Sequence, residues 1–266
     1  MSVTQTAPHL AYTLSGQPGG TPLVFVNGLG GAQAAFSHQV RFFKGSRQVL
    51  TFDHRGVGGS DVVDTPVHMA DFAADLIRLL DELNLNQVDA VGLSFGGRVL
   101  QQLAAGWPER VRRLVVGGTS AGGVLHTPGN IDAHRVLRSV RGADETVWAE
   151  EIAPLLFGRA YQERYPERIQ SLARWKARYP SDPVGLARQW EAWDSFDMGD
   201  QLGQITCPVL VLHGTDDGLS PIENATQLTA HLPDAELQLL EGIGHSPNVE
   251  DVGAFNTAIE GFLSKP

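Results

Sequence analysis

Six short, almost continuous apolar runs constrain this chain most: Leu23–Val26, Val49–Asp53, Val88–Leu93, Leu114–Val116, Val209–His213 and Leu237–Leu240. A strand with one face in water alternates apolar and polar residues. A strand that is apolar at nearly every position needs cover on both faces, as in a parallel sheet flanked by helices. The intervening segments supply those helices. In Asp71–Leu83, Phe72, Leu76, Leu79, Leu80 and Leu83 recur at helical spacing. Ser220-Pro221-Ile222-Glu223 has the pattern of a capping box with proline at the first helical position, which predicts a helix start. The expected fold class is therefore α/β, a mostly parallel, doubly wound sheet.

The alternation breaks between about Gly122 and Gly203, where helical patterns continue without a convincing strand. Four of the 5 tryptophans fall there (Trp148, Trp175, Trp190 and Trp193), and so do ten basic residues against twelve acidic ones, leaving most of the net charge of −10 to the rest of the chain. We read residues 1–121 and 204–266 as the core and residues 122–203 as a helical lid over the C-terminal edge of the sheet, a place where such insertions gate access. An arginine on such a helix reads first as a solvated face.

The charge balance excludes one class of partner. With 20 basic and 30 acidic residues and no Lys/Arg-rich run, the chain repels a polyanion, so no nucleic-acid partner is expected. The single cysteine, Cys207, forms no intramolecular disulfide, which suits a reducing compartment, and it reads as a small buried residue. No signal-peptide pattern opens the chain, no apolar stretch approaches the ~20 residues that span a bilayer, and Ser264-Lys265-Pro266 is not the peroxisomal tripeptide. These features predict a soluble, cytoplasmic protein without a membrane partner.

The chemistry is concentrated in VDAVGLSFGG, Val88–Gly97. Gly92-x-Ser94-x-Gly96 follows an apolar strand directly, and a helical pattern runs on from Arg98 to Ala105 with Leu100 and Leu103 facing inward. That is the context of a nucleophile elbow, a turn so tight that the residues two before and two after the serine must be small. Gly92 and Gly96 meet that demand and Gly97 adds room, so Ser94 is the candidate nucleophile.

The strand–elbow–helix pattern resembles the α/β-hydrolase superfamily, and the resemblance extends over nearly the whole chain. A serine hydroxyl needs an adjacent base. Of the 9 histidines, His245 lies in Gly242-Ile243-Gly244-His245-Ser246-Pro247, a glycine-flanked loop after the last apolar strand. His213 ends the run VLVLHG and reads as a packing residue, while His9, His38, His68, His126, His134 and His231 read mostly as surface residues. The order Ser…Asp…His favours His245 as the base. The third member should be a carboxylate after the preceding strand, where Asp216 and Asp217 both stand. The resemblance selects Asp217, since the superfamily's acid lies four residues before a helix-opening proline, here Pro221. The alternative position in some relatives falls on Gly117-Gly118-Thr119-Ser120, which has no carboxylate.

After the first strong strand comes Asn27-Gly28-Leu29-Gly30-Gly31, where the superfamily often has His-Gly. The resemblance makes the backbone N–H groups of Leu29 and Phe95 the candidate oxyanion hole. A dinucleotide fingerprint fails in this segment, because its third glycine would be Gln33, and no phosphate loop is present. Asp53-His54-Arg55-Gly56-Val57-Gly58-Gly59-Ser60 reads as a structural tie between a loop and the sheet. No His/Cys/carboxylate group has ligand spacing, so neither a metal nor another cofactor is expected.

Serine at the elbow excludes the haloalkane dehalogenase branch, which uses aspartate there. The segments GLSFGG, Asn27–Gly31 and Trp193–Gly214 are similar to lactonases of the 3-oxoadipate enol-lactonase kind and to small carboxylesterases. The expected activity is hydrolysis of a small ester or lactone through an acyl-enzyme on Ser94. Hydrolysis of a C–C bond in a vinylogous diketone, a non-catalytic small-ligand receptor, and cofactor-free oxygenase or perhydrolase chemistry stay open on this fold.

Overall fold

The structure, a computed structural model, describes residues 1–129, 135, 136, 139 and 144–265. Its strands are β1 (Ser2–Val3), β2 (Ala11–Ser15), β3 (Leu23–Val26), β4 (Val49–Phe52), β5 (Val88–Leu93), β6 (Val111–Gly117), β7 (Val209–Gly214) and β8 (Ala235–Leu240). They form one sheet in the order β1-β2-β4-β3-β5-β6-β7-β8. From β4 to β8 all neighbours are parallel, while β2 joins β4 antiparallel and β1 adds to β2. The described helices are α1 (Ser37–Phe43), α2 (Met69–Glu82), α3 (Phe95–Gly106), α4 (Glu145–Leu156), α5 (Arg159–Arg164), α6 (Pro166–Arg178), α7 (Pro183–Asp194), α8 (Ile222–His231), α9 (Pro247–Glu250) and α10 (Val252–Leu263). None is long and apolar enough to cross a membrane.

Successive strand residues point to opposite faces, and that splits each apolar run between two cores. Val24, Val26, Leu50, Phe52, Ala90, Val116 and Val211 pack on one side with Phe72, Leu76, Leu79 and Leu80 of α2 and Val99, Leu100 and Leu103 of α3. Leu23, Phe25, Val49, Val91, Val115, Leu210 and Leu212 pack on the other with Phe43 of α1 and Phe255, Ile259 and Phe262 of α10. Each buried valine, leucine, isoleucine or phenylalanine among them contributes roughly 1.5–3 kcal/mol by leaving water. Helix α2 also shows how local chemistry sets an end. Asn84 takes φ 55, Asn84 N–H donates to Asp81 O, and Leu85 N–H donates to Leu80 O at 2.9 Å, the double bond of a Schellman stop.

Three details differ from the sequence reading. The strand predicted at Leu237–Leu240 exists but is only partly buried: Leu240 is buried while Leu239 is 42% exposed, because β8 is the sheet's last strand. β1 and β2 were not expected, since AYTLS is short, mixed and only partly buried. The helix predicted after Ser220 forms, but it starts at Ile222 with Pro221 at the N-cap instead of the first helical position, and no side chain caps it. The capping box is pre-empted. Ser220 N–H donates to Asp217 Oδ1 at 2.8 Å, so it is not available to Glu223.

Between β6 and β7 the chain leaves the sheet for the predicted helical insertion, α4 to α7. Helix α7 is capped by Asp182, which accepts from Val184 and Gly185 N–H groups, with Pro183 in the first turn. Its first turn lies directly on the loop after β4. A Cβ on Gly56 would sit 2.3 Å from Gly185 Cα, so two glycines make that approach possible.

Candidate active site

Ser94 joins β5 to α3 with φ 55 and ψ −118. A non-glycine residue there is strained, and the surroundings must hold it. Ser94 N–H donates to Gly117 O at 2.8 Å. The elbow leaves no room for larger neighbours: a Cβ on Gly92 would lie 2.5 Å from Gly96 O, and one on Gly96 would lie 2.1 Å from Val26 O. Gly97 faces Thr119, whose Cγ2 would be 2.8 Å from an added Cβ. Phe95 opens α3, so its N–H is among those with no acceptor inside the helix.

His245 and Asp217 meet at the ends of β8 and β7. His245 Nδ1 lies 2.8 Å from Asp217 Oδ2 and 3.0 Å from Oδ1. The carboxylate can only accept, so Nδ1 carries the proton and Nε2 is left as the basic nitrogen. The Asp217 side chain is 1% exposed, whereas Asp216 is exposed on the turn. Burial alone would push the Asp217 carboxyl up, but the charge and hydrogen bond of His245, the charge of His213 and the Ser220 N–H hold it below its ordinary value. Burial likewise pulls His245 down; the Asp217 charge and hydrogen bond, with a smaller push from Glu250, outweigh it and hold the imidazole above its ordinary value. Gly118, at φ +56, makes space for the pair: a Cβ there would come 3.0 Å from His245 Cε1.

Two supporting groups escaped the sequence reading. His213, read as a packing residue, is buried, donates from Nε2 to Ser220 O at 2.8 Å, and stands 3.7 Å from Asp217 Oδ2. It ties down the turn that carries Asp217. Glu250 accepts from the N–H groups of Gly244 and Ser246 on either side of His245, and from Gly158 N–H at 2.7 Å, where α4 passes to α5. One half-buried carboxylate thus holds the histidine loop and the insertion together. A carboxylate five residues after the histidine carries no sequence signal of such a role.

On the opposite wall lies the Asn27–Gly31 loop. The Asn27 amide, oriented with its nitrogen toward Ala32, donates to the Ala32 carbonyl at 3.2 Å. Gly31 N–H donates to Gly28 O at 3.0 Å. His54 is buried behind the loop, where Nε2 donates to Asn27 O at 3.3 Å and the ring meets Phe95 edge-on. Asp53 accepts from Gln33 and Gly59 N–H groups, and Arg55 pairs with Asp75 at 2.6 Å. Burial pulls the His54 pKa down to about 4, against the hydrogen bond to Asn27. Below the ordinary histidine value the unfolded chain therefore binds a proton that the folded chain refuses. Stability falls with decreasing pH by about 1.4 kcal/mol per unit from this group, until the folded pKa is reached. Urea midpoints at about pH 7 and about pH 5 should differ less in His54→Gln than in the wild type; an unchanged difference would rule His54 out as a source.

Ser94, His245, Gly28 and Leu29 line one cavity of about 850 Å³, with Asp217 and Phe95 set behind its wall. The cavity lies at the C-terminal ends of β3, β5, β6, β7 and β8, the edge where open α/β sheets bind ligands. Its far wall comes from the insertion and includes Trp148, Trp175, Trp190 and Trp193. His126 is half-buried, lines the cavity and lies 2.9 Å from Ser120 Oγ, which corrects its reading as a surface residue. His134 lies outside the described residues. Cys207 is buried as expected, and burial pushes its thiol up to about 11. Among the described residues, no cluster of three His, Cys, Asp or Glu side chains is placed to hold a metal.

This fold and site define a class. Residues 21–252 match the family described as alpha/beta hydrolase fold, and the chain belongs to that family of hydrolases. Over 265 residues it is 31% identical to 3-oxoadipate enol-lactonase 2 of Acinetobacter baylyi, with 98% of this chain and 96% of that protein covered. A thermophilic esterase from Thermogutta terrifontis superposes with a TM-score of 0.83 at 27% identity, covering 98% of this chain and 96% of that one. The enol-lactonase from Burkholderia xenovorans LB400 shares the fold with a TM-score of 0.87 at 24% identity, over 99% of this chain and 100% of that one.

Proposed function

We propose that this protein hydrolyses a small carboxylic ester or lactone through an acyl-enzyme on Ser94. The observation that carries the reading is the Asp217–His245 hydrogen bond at 2.8 Å beside the cavity that the strained Ser94 also lines. In this reading His245 Nε2 takes the Ser94 proton as Oγ attacks the carbonyl carbon, and Asp217 keeps the imidazole in the required tautomer and stabilises the imidazolium. The carbonyl oxygen becomes an oxyanion that the Leu29 and Phe95 N–H groups receive. His245 then returns its proton to the leaving oxygen. Water repeats the sequence on the acyl-enzyme and frees the acid.

The substrate class is argued from the walls and the relatives. The tryptophans and leucines of the insertion make an apolar enclosure that suits a neutral acyl or lactone ring, and the exclusion of water strengthens the electrostatics of the oxyanion step. Residues 122–203 act in this reading as the lid that sets specificity over a core of 1–121 and 204–266. The names of the lactonase and esterase relatives agree with that chemistry. The test is a panel of p-nitrophenyl acetate and butyrate and simple lactones, run with a fluorophosphonate probe. The reading expects covalent labelling of Ser94 and turnover of at least one ester or lactone series. A wild-type protein that the probe leaves unlabelled and that turns over neither series overturns it.

A further inference from the structure

The three successive peptide planes from Gly28 to Gly31, two of which meet at Leu29, are each fixed by a different hydrogen bond. The Gly28 carbonyl accepts from Gly31 N–H at 3.0 Å within the loop. The other two partners come from the helical insertion. Gly30 N–H donates to Gln189 Oε1 at 2.8 Å, and Gly30 O accepts from Ser181 Oγ at 2.8 Å. Because N–H and C=O are antiparallel across a trans peptide, anchoring the planes on both sides of Leu29 sets the direction of the Leu29 N–H.

The partners are themselves held in one orientation. Gln189 is fully buried on α7, and its Nε2 donates to Arg55 O at 3.3 Å. A backbone carbonyl accepts and a backbone N–H donates, so these two contacts decide which end of the amide faces Gly30. Ser181 accepts from Lys176 Nζ at 2.9 Å, which leaves its hydroxyl proton for Gly30 O. Gly30 has φ +61, and a Cβ there would lie 2.9 Å from Ser181 Oγ. Glycine crosses φ/ψ space easily, so a loop built on it depends on outside bonds to stay in one conformation.

We propose that Gln189, seconded by Ser181, is a positioning residue that holds the Leu29 N–H toward the reacting carbonyl, so that oxyanion stabilisation depends on the seating of the helical insertion. This rests on the serine-hydrolase reading of Ser94. A donor displaced by about 1 Å costs roughly 10²-fold in rate, and a lost donor roughly 10²–10³-fold. The insertion therefore controls more than access: both outside bonds to Gly30 come from α7 and the turn just before it.

Gln189→Met keeps the shape and removes the acceptor. We expect kcat to fall about 10- to 100-fold with KM changed less than about threefold, because the lost interaction belongs to the transition state. Affinity for a trifluoromethyl ketone, whose adduct carries the oxyanion, should fall by the same factor as kcat/KM. Gln189→Glu, which keeps an acceptor for Gly30 N–H, should recover part of the loss. Ser181→Ala tests the other anchor from a half-buried position and decides the matter if Gln189→Met does not fold; it should lower kcat about 3- to 10-fold with the same split. Folded variants whose kcat and ketone affinity stay within about twofold of the wild type overturn the proposal. Fluorophosphonate labelling of the wild type runs alongside. Labelling with indifferent variants sinks the positioning role alone, whereas no labelling removes the nucleophile and this proposal with it.

Discussion

Ser94→Ala is expected to lower kcat by on the order of 10⁶ on any ester or lactone the wild type turns over, and to abolish fluorophosphonate labelling. The size follows from how the three groups work. In the proposed mechanism, without Oγ there is no acyl-enzyme to form and no hydroxyl proton for His245 to take, and only the oxyanion donors and binding remain. The substitution is structurally mild. Alanine also carries a Cβ, so it meets the same strain at φ 55 that serine does, and neither Gly92 nor Gly96 is disturbed. Circular dichroism and a thermal melt should therefore match the wild type. Equal labelling of wild type and Ser94→Ala would move the nucleophile elsewhere in the chain.

Asp217→Asn is expected to cost about 10⁴-fold in kcat, while Asp216→Asn changes it little. The structure dictates which way the new amide faces. Asp217 Oδ1 accepts from Leu219 N–H at 2.9 Å and Ser220 N–H at 2.8 Å. Those donors keep the asparagine carbonyl on their side, so the NH₂ group lands where Oδ2 faced His245. Imidazole then presents an unprotonated Nδ1 to it and carries its proton on Nε2, the nitrogen that must be basic. The pH profile gives an independent check. In the proposed mechanism His245 acts as a base when neutral, so kcat/KM should fall as pH drops through its free-enzyme pKa, which Asp217 and Glu250 hold above the ordinary histidine value against the effect of burial. With the Asp217 charge removed, burial dominates and that limb should move to lower pH. Equal activity losses at positions 216 and 217, or a limb that does not move, would assign the acid elsewhere.

The same pair of residues shows where sequence reasoning gains and loses purchase. Choosing Asp217 over Asp216 needed a family pattern, because two adjacent carboxylates on a turn are chemically equivalent on paper. In the folded chain they part completely: one is enclosed against His245 and His213, the other exposed. His213 was read only in part, for a related reason. An apolar run ending in histidine says that the ring is buried, and it is, but not that its one hydrogen bond fastens the Asp217 turn. The capping pattern at Ser220 failed because a residue outside the pattern, Asp217, had already engaged the serine N–H.

Local physics was enough for the frame. Apolar runs too dense for a one-sided sheet demanded a covered parallel one, and Gly92, Ser94 and Gly96 demanded an elbow, since backbone strain and the space for a Cβ are decided within a few residues. The partnerships across the site were not legible in that way. Gln189 and Ser181 on Gly30, Glu250 on Gly158, and Gly56 against Gly185 join segments that lie far apart in the chain. A glutamine or glutamate has the same composition and flanking pattern whatever it touches. Which backbone N–H needed its oxygen was decided only when the insertion closed over the sheet and left those groups without water.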